Sequence, residues 1–182
     1  MSLATSNARL ALGTVCVPNV DTALQLYAGL LEQDIIADTV VDANEALSWQ
    51  APMLANARSV VLQPPSKAPV YLRLIEQPNP RNYKPGMHLG WAALELSVKS
   101  ADDIYQRLLK AETPIIAPPK PLSFTDKLYP MQARGPGGEA IYLNEVRGNL
   151  PSSDLPMAEC WVDKLFHCGD GLSRHGGLLK FL

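Results

Sequence analysis

Apolar and β-branched residues run almost unbroken from Leu10 to Val17 and stop at Pro18, the pattern of a strand. The period then changes. Val20, Leu24, Tyr27 and Leu31 recur every three or four positions as one helix stripe, with Asn19 or Asp21 available to cap it. Residues 34–41 (DIIADTVV) return to a strand pattern, and 42–49 suggest a short helix ended near Pro52. Two more strands are predicted at 58–62 and 70–76, either side of a Pro64-Pro65 loop.

The same order then starts again. Residues 88–98 (HLGWAALELSV) predict a long strand, and Ser100 to Asp103 form a capping box ahead of a helix carrying Ile104, Leu108 and Ala111. Ile115-Ile116, 128–134 and 139–146 complete the series, the last two joined by the turn residues Gly135-Pro136-Gly137-Gly138. The chain reads strand, helix, three strands, twice. A shift of 81 sets Val17 on Val98, Val20 on Ala101 and Tyr27 on Leu108, and a shift of 69 sets Leu72 on Ile141 and Glu76 on Glu145. Middle loops of different length account for the two offsets.

These segments carry a family likeness. VCVPNVDTALQLYAGLLE resembles the opening strand and helix of the vicinal oxygen chelate superfamily, which includes glyoxalase I, bleomycin-resistance proteins and extradiol dioxygenases. HLGWAALELSVKSADDIYQRLLKA resembles the start of its second module, and MQARGPGGEAIYLNEV its closing hairpin. The resemblance implies an α+β fold in which tandem βαβββ modules form a cup-shaped mixed sheet around a small ligand. Residues 1–147 are expected to form this glyoxalase-like domain, and 148–182 a linker and the start of a possible third module.

In the metal-using members, four strand residues, usually His and Glu, point into the cup. The matching positions here are Leu12, Arg73, Ala93 and Tyr142. Divalent metals need carboxylate, imidazole or thiolate donors, and this set does not supply them. Metal-assisted chemistry is therefore not expected from this unit, nor is any other cofactor.

Strand alternation predicts what else lines the cup. Thr14, Cys16, Tyr71, Arg73, Ile75, Trp91, Glu95, Ser97, Tyr142 and Asn144 share the ligand-position face. Arg73 and Glu95 stand out, because charges inside a cup are costly unless paired or ligand-bound. One reading makes them catalytic, Glu95 as base and Arg73 as anion stabiliser. The other makes them a structural ion pair in the place of the metal. Trp91, Tyr71 and Tyr142, with Thr14 and Asn144, would make a wall for a planar ligand, or Trp91, Tyr71 and Tyr142 are ordinary core aromatics. His88 falls on the opposite face by parity.

Two features invite other chemistry. The RGPGGE turn leads into a strand pattern, whereas a phosphate cradle needs a helix N-terminus, so it is read as a hairpin. Cys160, His167, Cys168 and His175 could suggest zinc, but their spacing is wider than that of zinc sites. The strand-like residues 159–166 and the Gly-rich stretch after them resemble the opening of a further module.

Composition narrows the function classes. A net charge of −2 argues against a nucleic-acid partner, and no apolar run reaches the length of a membrane span. Three cysteines and no secretory pattern point to a cytoplasmic protein without a disulfide framework. Sixteen prolines in 182 residues predict numerous stiff loops. The leading expectation is a protein that binds a small planar or aromatic compound in a metal-free cup. A metal-independent lyase or isomerase and the structural half of a longer four-module enzyme are the alternatives. A homodimer is expected, because cups of this superfamily are often completed by a second copy.

Overall fold

The computed structural model describes residues 10–78, 91–148 and 155–170. The first module comprises β1 (Leu12–Val17), α1 (Val20–Leu24), β2 (Asp34–Val40), α2 (Ala43–Ser48), β3 (Arg58–Gln63) and β4 (Tyr71–Glu76). The second comprises β5 (Trp91–Val98), α3 (Ala101–Lys110), β6 (Ile115–Ala117), β7 (Leu128–Arg134) and β8 (Ala140–Val146), and β9 (Val162–Asp170) follows it. Two mixed sheets result, with strand orders β1-β4-β3-β2 and β6-β7-β8-β5-β9.

The repeat seen in the sequence reaches atomic detail. In each module the first and last strands pair in parallel, and the registers correspond: Thr14 lies opposite Arg73, and Glu95 opposite Tyr142. Asn19 caps α1 by accepting the Thr22 N–H, and Ser100 caps α3 by accepting the Asp103 N–H. The closing strand of each module supplies a second partner. Val20 N–H donates to Glu76 Oε2 at 2.9 Å, and Ala101 N–H to Glu145 Oε2 at 2.9 Å. First-turn amides have no acceptor within the helix, and the positive end of the helix dipole favours a carboxylate there. Both pairs obey the shifts of 81 and 69.

After Leu24 the first helix widens into π-turns over Gln25–Leu30, with Leu31 N–H bonded to the Leu26 carbonyl at 2.8 Å. The extra residue per turn brings the adjacent Leu26 and Tyr27 into the core together. Leu24 of the predicted stripe is only half-buried as a result.

Val15, Val17, Leu72 and Leu74 pack under Val20, Ala23 and Tyr27, while Leu94, Leu96, Ile141 and Leu143 pack under Ile104 and Leu108. All belong to one continuous apolar cluster, so the two modules share a core. A polar contact reinforces it: the buried Tyr27 hydroxyl donates to Glu139 Oε1. The Glu139 carboxylate lies over the Gly135–Gly138 turn, which is a hairpin between β7 and β8 as expected. A side chain at Gly135 would begin 1.8 Å from Glu139 Oε1, and Gly138 has φ 87°. The positive φ of Gly138 is one that glycine adopts without strain, and a side chain at Gly135 would have to displace the Glu139 carboxylate.

The strand expected around residues 159–166 is present. It forms β9, which runs antiparallel to β5 and extends the second sheet. An unpaired β5 edge would leave a row of amides and carbonyls without partners, and β9 supplies them. Gln33 Nε2 donates to the Val162 carbonyl at 2.8 Å, and Ser66 Oγ donates to the fully buried Asp163. Through these bonds β9 is tied to the first module.

Candidate functional site

The ladder registers place the expected residues on one face of each sheet, opposite the face that carries the helix. Leu12, Thr14 and Cys16 of β1 stand beside Tyr71, Arg73 and Ile75 of β4. Ala93, Glu95 and Ser97 of β5 stand beside Ala140, Tyr142 and Asn144 of β8. The two halves are finished differently.

In the first half the β2–β3 connection, residues 41–57, carries α2 and folds back over the sheet. Asp42 caps α2 by accepting the Asn44 and Glu45 amides. Val41, Ala46 and Leu54 then bury Ile75 in a small apolar cluster of their own. Arg73 lies under the same segment. Its guanidinium stacks on the Trp49 ring, 4.4 Å from the centroid. Nη1 donates to Glu45 Oε1 at 2.9 Å, and Nε donates to Thr14 Oγ1 at 3.2 Å. The expected Arg73–Glu95 pair therefore does not form. Glu45 and Trp49 sit on the connection directly above Arg73 and satisfy it locally, a role that nothing in the strand pattern announces. Cys16 shares this face and is exposed; burial of its sulfur pushes the thiol up, against the opposing pull of Arg73.

The second half is open. The β6–β7 connection, residues 118–127, carries no helix. Its first residues run beside β7, where the Lys120 and Leu122 N–H groups donate to the Pro130 and Leu128 carbonyls, and a shallow cavity of about 30 Å³ lies on the sheet face there. Pro118, Leu122, Pro130, Gln132, Tyr142 and Asn144 line it, while the Met131 side chain belongs to the core on the other face of the sheet. Lys120, an exposed residue, adds a cation to the lining. Pro118 and Leu122 belong to no strand, so strand alternation does not announce them; the prolines at 118, 119 and 121 stiffen their loop.

Glu95 is 5% exposed and takes a long hydrogen bond from Asn144 Nδ2 at 3.5 Å. Burial pushes its carboxyl up to about 7, with the Asn144 amide opposing. The Tyr142 hydroxyl is also pushed up, first by burial and then by Glu95. Asn144 is 1% exposed, and its Oδ1 has no partner among the described residues. Trp91 opens β5, but its side chain lies outside the described residues.

Leu12, Arg73, Ala93 and Tyr142, the residues that the resemblance matches to metal ligands, form a donor set that does not fit a divalent ion. Among the described residues, no group of three or more His, Cys, Asp or Glu is placed to hold one. In the tail, the Cys160 thiol donates to the Val162 carbonyl at 3.4 Å. His167 and Cys168 lie on β9 with side chains outside the described residues, as are His88 and His175 altogether. No helix among the described residues is long and apolar enough to cross a membrane.

No family model and no curated protein sequence matches the chain. Solved structures do. A glyoxylase/bleomycin resistance protein/dioxygenase domain from Frankia sp. EAN1pec is 16% identical with a TM-score of 0.60, the match covering 78% of this chain and 100% of that one. A glyoxalase family protein from Bacillus cereus is 16% identical with a TM-score of 0.59, covering 81% and 100%. TnmS3, an antibiotic binding protein from Streptomyces sp. CB03234, is 20% identical with a TM-score of 0.54, covering 78% and 98%. The chain therefore shares its fold with these glyoxalase and glyoxylase/bleomycin resistance protein/dioxygenase-domain structures.

Proposed function

We propose that the protein binds a small planar or aromatic compound in the second-module cavity, without a metal ion, and holds it rather than transforms it. The observation that carries this reading is a sheet-face cavity in which Pro118, Leu122 and Pro130 lie beside Tyr142 and Asn144. Pockets of this kind bind through apolar area and orient through a few fixed polar groups. The likeness to a protein described as antibiotic binding supports the same reading.

Catalysis is the second reading, and one observation favours it. A buried carboxyl pushed up to about 7, as at Glu95, is suited to accept and return a proton near neutral pH. Arg73 has no part in that version, since Glu45, Thr14 and Trp49 engage it in the other half. Association into a homodimer remains part of the proposal. It is supported by the exposed Ile35, Ile36 and Val40 on the edge strand β2, and light scattering tests it.

Calorimetric titration with a panel of bicyclic and tricyclic aromatic compounds tests the binding reading. Tyr142→Ala is expected to weaken any bound compound by about tenfold or more, because an aromatic side chain carries much of the contact area. Binding that Tyr142→Ala leaves untouched would move the site elsewhere. Mass spectrometry of the bound compound after long incubation separates the readings, since recovery of an altered compound favours catalysis. Elemental analysis is expected to find far less than one transition metal per chain.

A further inference from the structure

We propose that Arg73 and the open sheet face beside it receive a carboxylate carried on an aromatic body, with Glu45 as a built-in competitor that the incoming carboxylate displaces. This site lies in the first module and does not depend on the second-module reading. The α2 segment covers one end of the first-module face, where Ile75 is buried. The other end stays open. Leu12 lies opposite Tyr71, and Ala37 lies opposite Val61, which is itself opposite Arg73. Leu12 is 38% exposed, and Tyr71, Val61 and Ala37 are half-buried. They form an apolar shelf that ends at a guanidinium and is reached directly from solvent.

Charge selects the ligand. Thr14, Tyr71 and Val61, the strand neighbours of Arg73 on this face, include no acid. Its counter-charge comes from the connection, where Glu45 Oε1 accepts from Nη1 at 2.9 Å. The two ends of that pair differ: the Arg73 side chain is 17% exposed and the Glu45 side chain 43%. A cation this deep calls for a carboxylate partner. A displaced Glu45, in contrast, regains water at little cost, because exposed ion pairs hold weakly. Thr14 Oγ1 accepts from Nε and the Trp49 ring stacks on the guanidinium plane, so the cation stays aimed when the Glu45 carboxylate leaves.

Three probes test the site by calorimetric titration at pH 7.5: 2-naphthoate, the neutral 2-naphthamide and acetate. 2-Naphthoate is expected to bind about tenfold more tightly than 2-naphthamide, the scale of a hydrogen bond to a charged group. It should bind about a hundredfold more tightly than acetate, which has no body for the shelf. Glu45→Gln should tighten 2-naphthoate roughly three- to fivefold by removing the competitor, and Arg73→Met should abolish its binding. A purely structural ion pair would give no such gain. The unmutated protein supplies a readout should Arg73→Met fail to fold. There the Arg73 side-chain N–H resonances should move with 2-naphthoate and stay with 2-naphthamide.

Equal binding of 2-naphthoate and 2-naphthamide would overturn the proposal, as would equal binding of acetate or no gain in Glu45→Gln. Loss of 2-naphthoate binding in Tyr142→Ala but not in Arg73→Met would overturn it too, and would move the carboxylate to the second-module cavity. Failure of 2-naphthoate to bind at all would remove the Arg73 site and leave the second-module reading standing.

Discussion

Glu95 shows how far one side chain can shape behaviour. Its folded-state carboxyl holds a proton to about 7, against an ordinary value of 4.5 that the unfolded chain would show. The folded protein therefore binds more protons than the unfolded one between these values, and stability falls as pH rises across that window. A shift of this size corresponds to at most about 3 kcal/mol. Glu95→Gln is expected to flatten the decline, so that the variant gains Tm relative to the parent at pH 8 but not at pH 4.5. Thermal denaturation at the two pH values checks it. Arg73 is bound elsewhere, and a mutant cycle makes that visible. Arg73→Met and Glu95→Gln should be additive within about 0.5 kcal/mol in urea denaturation, whereas Arg73→Met and Glu45→Gln should couple. A clear Arg73–Glu95 coupling would contradict the described contacts.

Elements were more legible in the sequence than contacts between them. Strand alternation and helix period are local, so the helix start at Val20, the capping Ser100 and the face shared by Thr14, Arg73, Glu95 and Tyr142 could all be read from spacing. The partner of Arg73 could not. It depends on where the 41–57 connection folds back, and Glu45 looks from sequence like any first-turn acid on a short helix. The same holds for β9, whose own alternation says strand but not which edge it covers. The strand-capping carboxylates give the element scale a direct test. Glu76→Ala and Glu145→Ala each remove an acceptor from a helix's first turn and should each cost about 1 kcal/mol. The β7–β8 turn is less forgiving. Gly135→Ala would drive a methyl into the Glu139 carboxylate. It is expected to cost roughly 2–4 kcal/mol in equilibrium unfolding, and Glu139→Ala in the same chain should relieve part of that cost.

At the scale of the whole molecule, a single core spans both modules, so unfolding should be one cooperative transition. A ligand that enters the cavity should raise the temperature of that transition. The gain is about 2.7 kcal/mol when the ligand is present at a hundred times its Kd. Calorimetric scans that resolve two transitions, only one of which moves with ligand, would show that the modules fold apart.

The unequal connections also say something about what this architecture could become. One backbone carries two sheet faces finished differently: a guanidinium covered by the α2 segment in one half, and Tyr142 and Asn144 beside a connection without a helix in the other. On the proposed binding reading, access to each sheet face would follow the length of a single crossing, 41–57 against 118–127. A chain whose first crossing is cut to the length of the second should uncover Arg73 and acquire a taste for anions. Such a chain would present a guanidinium in one half and keep Tyr142 and Asn144 in the other.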